Sequence, residues 1–169
     1  MTVILITGGA RSGKSRHAEV RAQALGPDPV YVATCPPAGE DAEMAARIDL
    51  HRDRRGPEWR LVEEPLDLAG ALRATDGGGP RLVDCLTLWL SNLMYHGRDW
   101  RAEAEALVPV LAAQAAPVVL VTNEVGLGIV PDSALARAFR DAQGTLNQMI
   151  ARAADEVEFV VAGLPMRVK

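Results

Sequence analysis

The chain has 169 residues, the length of one domain, and a chain of this size buries about 70% of the surface its unfolded state exposes. Apolar residues make up 49% and charged residues 24%, which excludes a disordered chain. The 18 Lys and Arg against 22 Asp and Glu leave a net charge of −4, and aromatics are only 4%, so neither a basic patch nor a base-stacking platform for nucleic acid is predicted. No apolar run approaches the roughly 20 residues of a membrane span. The start, MTVILITGG, has no basic flank and no small-residue cleavage site, so a signal peptide is not expected. Cys35 and Cys85 form no CxxC pair, which argues against a zinc site or a disulfide framework; a reducing cytoplasm is the expected compartment.

In chain order, Thr2 to Thr7 is a short β-branched run that reads as a strand buried on both faces. A helix is predicted from Lys14 to Leu25, stopped by Gly26 and Pro27. Val30 to Ala33 reads as a second strand and Glu40 to Arg54 as a charged helix. A short strand over Trp59 to Val62 and a helix over Pro65 to Ala74 follow, then the loop Thr75 to Pro80. Arg81 to Asp84 reads as a strand ending in a carboxylate, and Leu86 to Tyr95 as a helix apolar enough to be buried or to meet another subunit. A helix from Trp100 to Ala116 leads into the interior strand Pro117 to Thr122. A long helix from Asp132 to Asp155, capped by Asp132 or Ser133, precedes a strand over Val157 to Ala162, with Met166 to Lys169 as an edge hairpin. Strands alternating with helices predict an α/β fold with a mainly parallel sheet in one domain over residues 1–169. In such sheets ligands bind beyond the carboxyl ends of the strands.

Those ends carry the informative residues. Gly8, Gly9, Ala10, Arg11, Ser12, Gly13, Lys14 and Ser15 spell GGARSGKS, which fits G-x-x-x-x-G-K-[ST] between a predicted strand and a predicted helix. Glycines let the backbone wrap phosphate oxygens with N–H groups, and the helix adds its positive dipole end. In this motif the lysine reaches the β- and γ-phosphates and the hydroxyl ligates Mg²⁺, roles that fall to Lys14 and Ser15. Asp84 is the first choice for the strand-end carboxylate serving metal or nucleotide, with Glu124 its rival. Ala33, Thr34 and Cys35 end another strand and line the same edge; Cys35 has no histidine or helix start beside it to make it a nucleophile. Arg11 reaches either the γ-phosphate or a neighbouring subunit. Asn123-Glu124-Val125-Gly126 lacks the Lys and Asp of a guanine-reading N-K-x-D, and no D-x-x-G follows Asp84, so a signalling GTPase is disfavoured. A small-molecule kinase and a nucleotide-binding regulatory module remain open on the loop alone.

The chain resembles the bifunctional adenosylcobinamide kinase / adenosylcobinamide-phosphate guanylyltransferase family. The resemblance runs over nearly the whole length. It is carried by GGARSGKSRHAE (Gly8 to Glu19), YVAT (Tyr31 to Thr34), EMAARIDLHRDRR (Glu43 to Arg55), the segment from Trp59 to Pro65, VTNEVGLGIVP (Val121 to Pro131) and the RxFRDxxGxxNQ pattern from Arg137 to Gln148. It implies a RecA-like phosphate-loop fold and a homotrimer. It implies that ATP or GTP phosphorylates adenosylcobinamide and that GTP then donates GMP to the product through a guanylylated histidine. The matching histidine is His51, with Arg52, Asp53, Arg54, Arg55 and Glu63 in the nucleotide site. By composition alone the His51 segment reads as a solvated charged helix, although its arginines would keep the imidazole neutral and nucleophilic and hold phosphates. His17 and His96 read as packing or helix-end residues.

Overall fold

The computed structural model describes residues 2–35 and 56–169. The charged helix expected over Glu40 to Arg54, with His51, Arg52, Asp53, Arg54 and Arg55, lies outside the described residues. Seven strands form one sheet: β1 (Val3–Gly8), β2 (Val30–Ala33), β3 (Arg60–Glu63), β4 (Arg81–Asp84), β5 (Val118–Val121), β6 (Glu156–Val161) and β7 (Leu164–Arg167). Their order is β3-β2-β4-β5-β1-β6-β7, all parallel except the β6–β7 hairpin. The helices are α1 (Lys14–Ala24), α2 (Leu68–Ala74), α3 (Leu86–Tyr95), α4 (Trp100–Ala112) and α5 (Ala134–Ala153).

Strand β5 and the first four residues of β1, Val3 to Ile6, are apolar and buried because both faces are covered. Alternate residues divide between two cores. Ile4, Ile6, Leu82, Val119, Val121 and Tyr31 face α1, whereas Val3, Leu5, Val83, Val118 and Leu120 face the layer that contains α2 to α5. Helix α1 buries only Lys14, Ala18 and Ala22, and the small alanines four residues apart let it lie close on the sheet. Helix α3 buries Leu86, Trp89, Leu90 and Leu93, one face of a 3.6-residue repeat. At about 1.5–3 kcal/mol for each fully buried large apolar side chain, that face alone anchors the helix. Its burial settles that stripe as core, and among the helix's large apolar side chains only Tyr95 at its end is largely exposed.

Several element ends differ from the sequence expectation, each because a side chain captures backbone N–H groups. Helix α2 starts at Leu68 rather than Pro65: Glu64 accepts from the N–H groups of Leu66 and Asp67, and Asp67 then caps Gly70. Helix α4 stops at Ala112 because the N–H groups of Ala115 and Ala116 turn to Asp76. Of the two caps weighed for α5, Ser133 holds the position and accepts from Ala136 N–H.

Arg81, the first residue of β4, is wholly buried. It donates to Gln114 Oε1 and lies 3.0 Å from Asp76 Oδ1. Burial opposes ionisation of Asp76, but the N–H groups of Ala115, Ala116 and Gly77 and the Arg81 guanidinium outweigh it and hold the carboxyl below its ordinary range. Asp76 is partly exposed but Arg81 is wholly buried, so removing the carboxylate leaves an uncompensated buried charge, and Asp76→Ala should cost about 3 kcal/mol in urea unfolding. A depressed carboxyl pKa adds stability above the ordinary aspartate value and loses it as pH falls through the folded value. The acid limb of the stability profile should therefore be shallower in Asp76→Asn than in the parent chain.

Candidate functional site

The carboxyl ends of the parallel strands gather on one edge of the sheet, with the turn after β1 at the centre. The β1–β5 ladder continues past the end of β5, since Thr122 N donates to the Ile6 carbonyl and Glu124 N to that of Gly8. From Gly8 to Ser15 the chain curls into a loop and enters α1. The curl demands unusual backbone: Gly13 has φ 94° and Arg11 φ 56°. A Cβ on Gly8 would lie 2.6 Å from the Val160 carbonyl oxygen and 2.7 Å from Ser12 Oγ, so the loop closes only on glycine there.

The helix start is open for an anion. The N-cap of α1 is Gly13, no side chain caps the first turn, and no acidic residue stands in it. Lys14 is buried and its Nζ donates to the Gly9 carbonyl at 3.1 Å. Burial pushes the Lys14 pKa down, opposed by the nearby Cys85 and Asp84. Arg11 at the loop's outer turn is exposed.

Beside the loop, Asp84 ends β4 opposite Ala33 of β2 and accepts a 2.5 Å hydrogen bond from the Tyr31 hydroxyl. The Asp84–Cys85 peptide is cis. Thr34 is fully buried and ties the two strand ends together: its hydroxyl donates to the Cys85 carbonyl and accepts from Cys85 N–H, and its own carbonyl accepts from the Asn92 side chain. It thus holds the edge in shape rather than offering a hydroxyl to solvent. Burial and the Asp84 charge raise the Cys35 thiol, and burial lifts Cys85 to about 12, so neither thiol is activated. Glu63 ends the outermost strand β3, four strand positions from β1 and so about 19 Å away at 4.8 Å per step. Glu124, the rival acid, folds its carboxylate onto the Gly126 N–H and closes its own turn. Among the described residues no group of three or more His, Cys, Asp or Glu could hold a metal ion. The predicted metal pair, Ser15 with Asp84, supplies oxygen donors of the kind Mg²⁺ takes alongside phosphate and water.

Three features of the site were not read from the sequence. The β6–β7 hairpin braces the phosphate loop through Gly163 N–H, which donates to the Ser12 carbonyl at 2.7 Å. Its two-residue turn has positive φ at Ala162 and Gly163, a type I′ signature half hidden by the alanine. His17, read as a packing or solvent residue, pairs with Glu158 of β6 at 2.5 Å, beside an Arg21–Glu156 pair, and pins α1 to that strand. Thr122, Gln143, Asn147 and Thr87 form a polar cluster around Asn123, for which the signal was two amides four residues apart on an otherwise apolar helix face.

The fold has known counterparts. The flagellar accessory protein FlaH of Methanocaldococcus jannaschii matches 99% of this chain and 78% of its own, with a TM-score of 0.55 at 13% identity. The P4 protein of bacteriophage phi6, solved with ADP, matches 97% of this chain and 52% of its own, with a TM-score of 0.51 at 17% identity. These likenesses speak to the fold alone, a mainly parallel sheet flanked by helices. Sequence relatives reach further. A Pseudomonas aeruginosa protein named bifunctional adenosylcobalamin biosynthesis protein CobP is 49% identical over 98% of this chain and 96% of its own. The Escherichia coli protein named bifunctional adenosylcobalamin biosynthesis protein CobU is 43% identical over 99% of both. Residues 4–168 match the family described as cobinamide kinase / cobinamide phosphate guanyltransferase, and with a phosphate loop seated where that chemistry needs one, the chain belongs to this family.

Proposed function

We propose that the chain phosphorylates adenosylcobinamide and then caps the product with GMP. In the first reaction the hydroxyl oxygen of the aminopropanol arm attacks the γ-phosphorus of ATP or GTP; the bond to the β–γ bridging oxygen breaks, the nucleoside diphosphate leaves and the hydroxyl proton is lost. In the second, a nitrogen of His51 attacks the α-phosphorus of GTP and pyrophosphate leaves. A phosphate oxygen of adenosylcobinamide phosphate then displaces the imidazole, giving adenosylcobinamide-GDP. The observation that carries this reading is the open, lysine-bearing loop at the carboxyl edge of the sheet in a chain matched along its length by the family.

Within the reading each residue has a physical task. The backbone N–H groups from Gly8 to Gly13 and the first turn of α1 hold the phosphates. Lys14 neutralises the β- and γ-phosphate charge. Ser15 and Asp84 would hold Mg²⁺, which would add charge compensation between the transferring and leaving phosphates. Arg11, Arg52, Arg54 and Arg55 offer further cations, and Ala33, Cys35, Asp53 and Glu63 are assigned to the nucleoside, with Thr34 tying the strand ends behind them. His51 owes its role to the family's motif, which it matches at Glu43 to Arg55.

The reading includes a homotrimer in the cytoplasm. In its favour stand apolar side chains left in solvent beside the site: Leu127 is 82% and Ile129 97% exposed after β5, and Leu164, Met166 and Val168 are exposed on or next to the edge strand β7. Among the described residues no helix is long and apolar enough to cross a membrane. Light scattering should give three times the chain's mass, and Ile129→Asp should shift it toward the monomer.

GTP labelled at the α-phosphate should leave acid-labile, base-stable label on the denatured chain. His51→Ala should abolish that label and guanylyl transfer while sparing much of the kinase step. Full labelling of His51→Ala would remove the nucleophile assignment, and no label on the parent chain would leave a plain kinase. Lys14→Ala should weaken triphosphate binding by about tenfold or more, the scale of a charged hydrogen bond; unchanged GTP affinity and kinase rate would contradict the cradle.

A further inference from the structure

The polar cluster beneath the site has an organisation that neither a packing role nor the phosphate loop explains. Gln143 and Asn147 share the face of α5 that also buries Leu146 and Ile150. Amides on such a face need partners, and these find them at the end of β5. Gln143 Nε2 donates to Thr122 Oγ1 at 3.0 Å and to Asn147 Oδ1 at 2.9 Å, and the Thr122 hydroxyl donates to Asn147 Oδ1 at 2.7 Å. Asn147 Nδ2 then donates to the Asn123 carbonyl at 3.1 Å, while Asn123 N–H donates to the Thr87 hydroxyl of α3 at 2.8 Å. Both backbone polar groups of Asn123 are therefore held by side chains from two helices. Its own side-chain amide has no hydrogen-bond partner among the described residues and is half-buried.

The ladder fixes where that amide lies. Because Thr122 N and Glu124 N pair with the Ile6 and Gly8 carbonyls, the β5 alternation runs on through Glu124. Thr122 shares the α5 face with Leu120, so Asn123 shares the α1 face with Val119 and Val121. That is the face of α1, which the phosphate loop enters. Strand β5 lies between β1, which carries that loop, and β4, which carries Asp84. The β4–β5 register sets Asp84 level with Val121, so Asn123 stands one two-residue repeat, about 6.6 Å, further along the same face. A neutral donor between a phosphate loop and a strand-end acid suits a phosphate oxygen, which another carboxylate there would repel.

We propose that the Asn123 side-chain amide donates a hydrogen bond to a terminal phosphate oxygen of the bound nucleoside triphosphate, with Asn147 as the positioning residue that holds Asn123 in place. The proposal rests on the nucleotide-cradle reading of Gly8 to Ser15. It accounts for the two clamped backbone groups, because a donor that senses the last phosphate must be fixed to a fraction of an ångström.

The test is calorimetric titration of the whole chain with α,β-methylene-GTP and α,β-methylene-GDP, a pair that differs only in the γ-phosphate and cannot release pyrophosphate. Asn123→Ala should weaken the triphosphate analogue about tenfold and leave the diphosphate analogue within about twofold, as expected for one hydrogen bond to a charged group. Asn123→Asp keeps the side chain's shape but brings a negative charge, so it should weaken the triphosphate analogue more than Asn123→Ala does. Asn147→Ala should lose part of the same discrimination; a purely structural Asn147 would lower the melting temperature and leave the affinity ratio intact. An unchanged ratio in both Asn123 variants, with binding still dependent on Lys14, overturns the Asn123 assignment alone. Binding of neither analogue by the parent chain, or binding indifferent to Lys14→Ala, overturns the cradle and this proposal together.

Discussion

The hydrogen bond from Gly163 N–H to the Ser12 carbonyl is the contact on which the shape of the phosphate loop depends. A loop that turns its N–H groups inward must turn carbonyls outward, and an outward carbonyl near the sheet needs a donor. The β6–β7 hairpin supplies it, and the approach is close: a Cβ on Gly13 would come within 3.0 Å of Gly163 Cα. The positive φ values of Arg11 and Gly13 follow from the same constraint, since only a left-handed excursion brings the chain back to the helix start. The antiparallel hairpin at the end of a parallel sheet is thus part of the site, although β6 comes five strands after β1 in the chain.

The same logic extends outward by one layer. Helix α1 inherits its direction from the loop, and the His17–Glu158 and Arg21–Glu156 pairs hold it to β6, next to the strand that launches it. On the opposite face the Gln143–Asn147 pair fixes the end of β5. The two polar systems sit on either side of one sheet: the first ties α1 along the first half of β6, and the second secures the carboxyl end of β5. The carboxyl end of β4 is secured by Tyr31 of β2 and by Thr34 just after it. Buried polar groups are costly unless satisfied, and in this sheet they are concentrated where strand ends must keep their register.

How much of this was legible in the sequence varies with the range of the interaction. The strands and helices were, because period and punctuation are local: β1, β5 and α3 follow from apolar runs, and the phosphate loop from its own eight residues. Boundaries moved where a distant side chain intervened, as when Asp76 took the N–H groups of Ala115 and Ala116 and ended α4 early. Thr34 stands at a strand end where the sequence predicts a nucleotide-lining residue, but its burial and its bonds to Cys85 and Asn92 make it a tie between strands. The hairpin brace and the Asn123 clamp were invisible for the same reason, since each joins residues more than 20 positions apart. The amide pair of α5 was present in the motif from Arg137 to Gln148, but its partner could not be named without the sheet register.

The electrostatics of the loop give the arrangement its direction. The chain as a whole carries −4, so no global field draws in a polyanion. Attraction must be local, and it is built from desolvation. Lys14 is buried beneath the loop with its ammonium on the Gly9 carbonyl, and burial lowers its pKa even with Asp84 and Cys85 nearby. A buried cation whose neighbours fall short of compensating it is stabilised further by any anion that enters. The open first turn of α1 presents its unpaired N–H groups to the same place. Anion binding and loop stability would therefore be linked: an anion entering the loop would compensate the Lys14 charge, and the free energy of that compensation would appear as affinity.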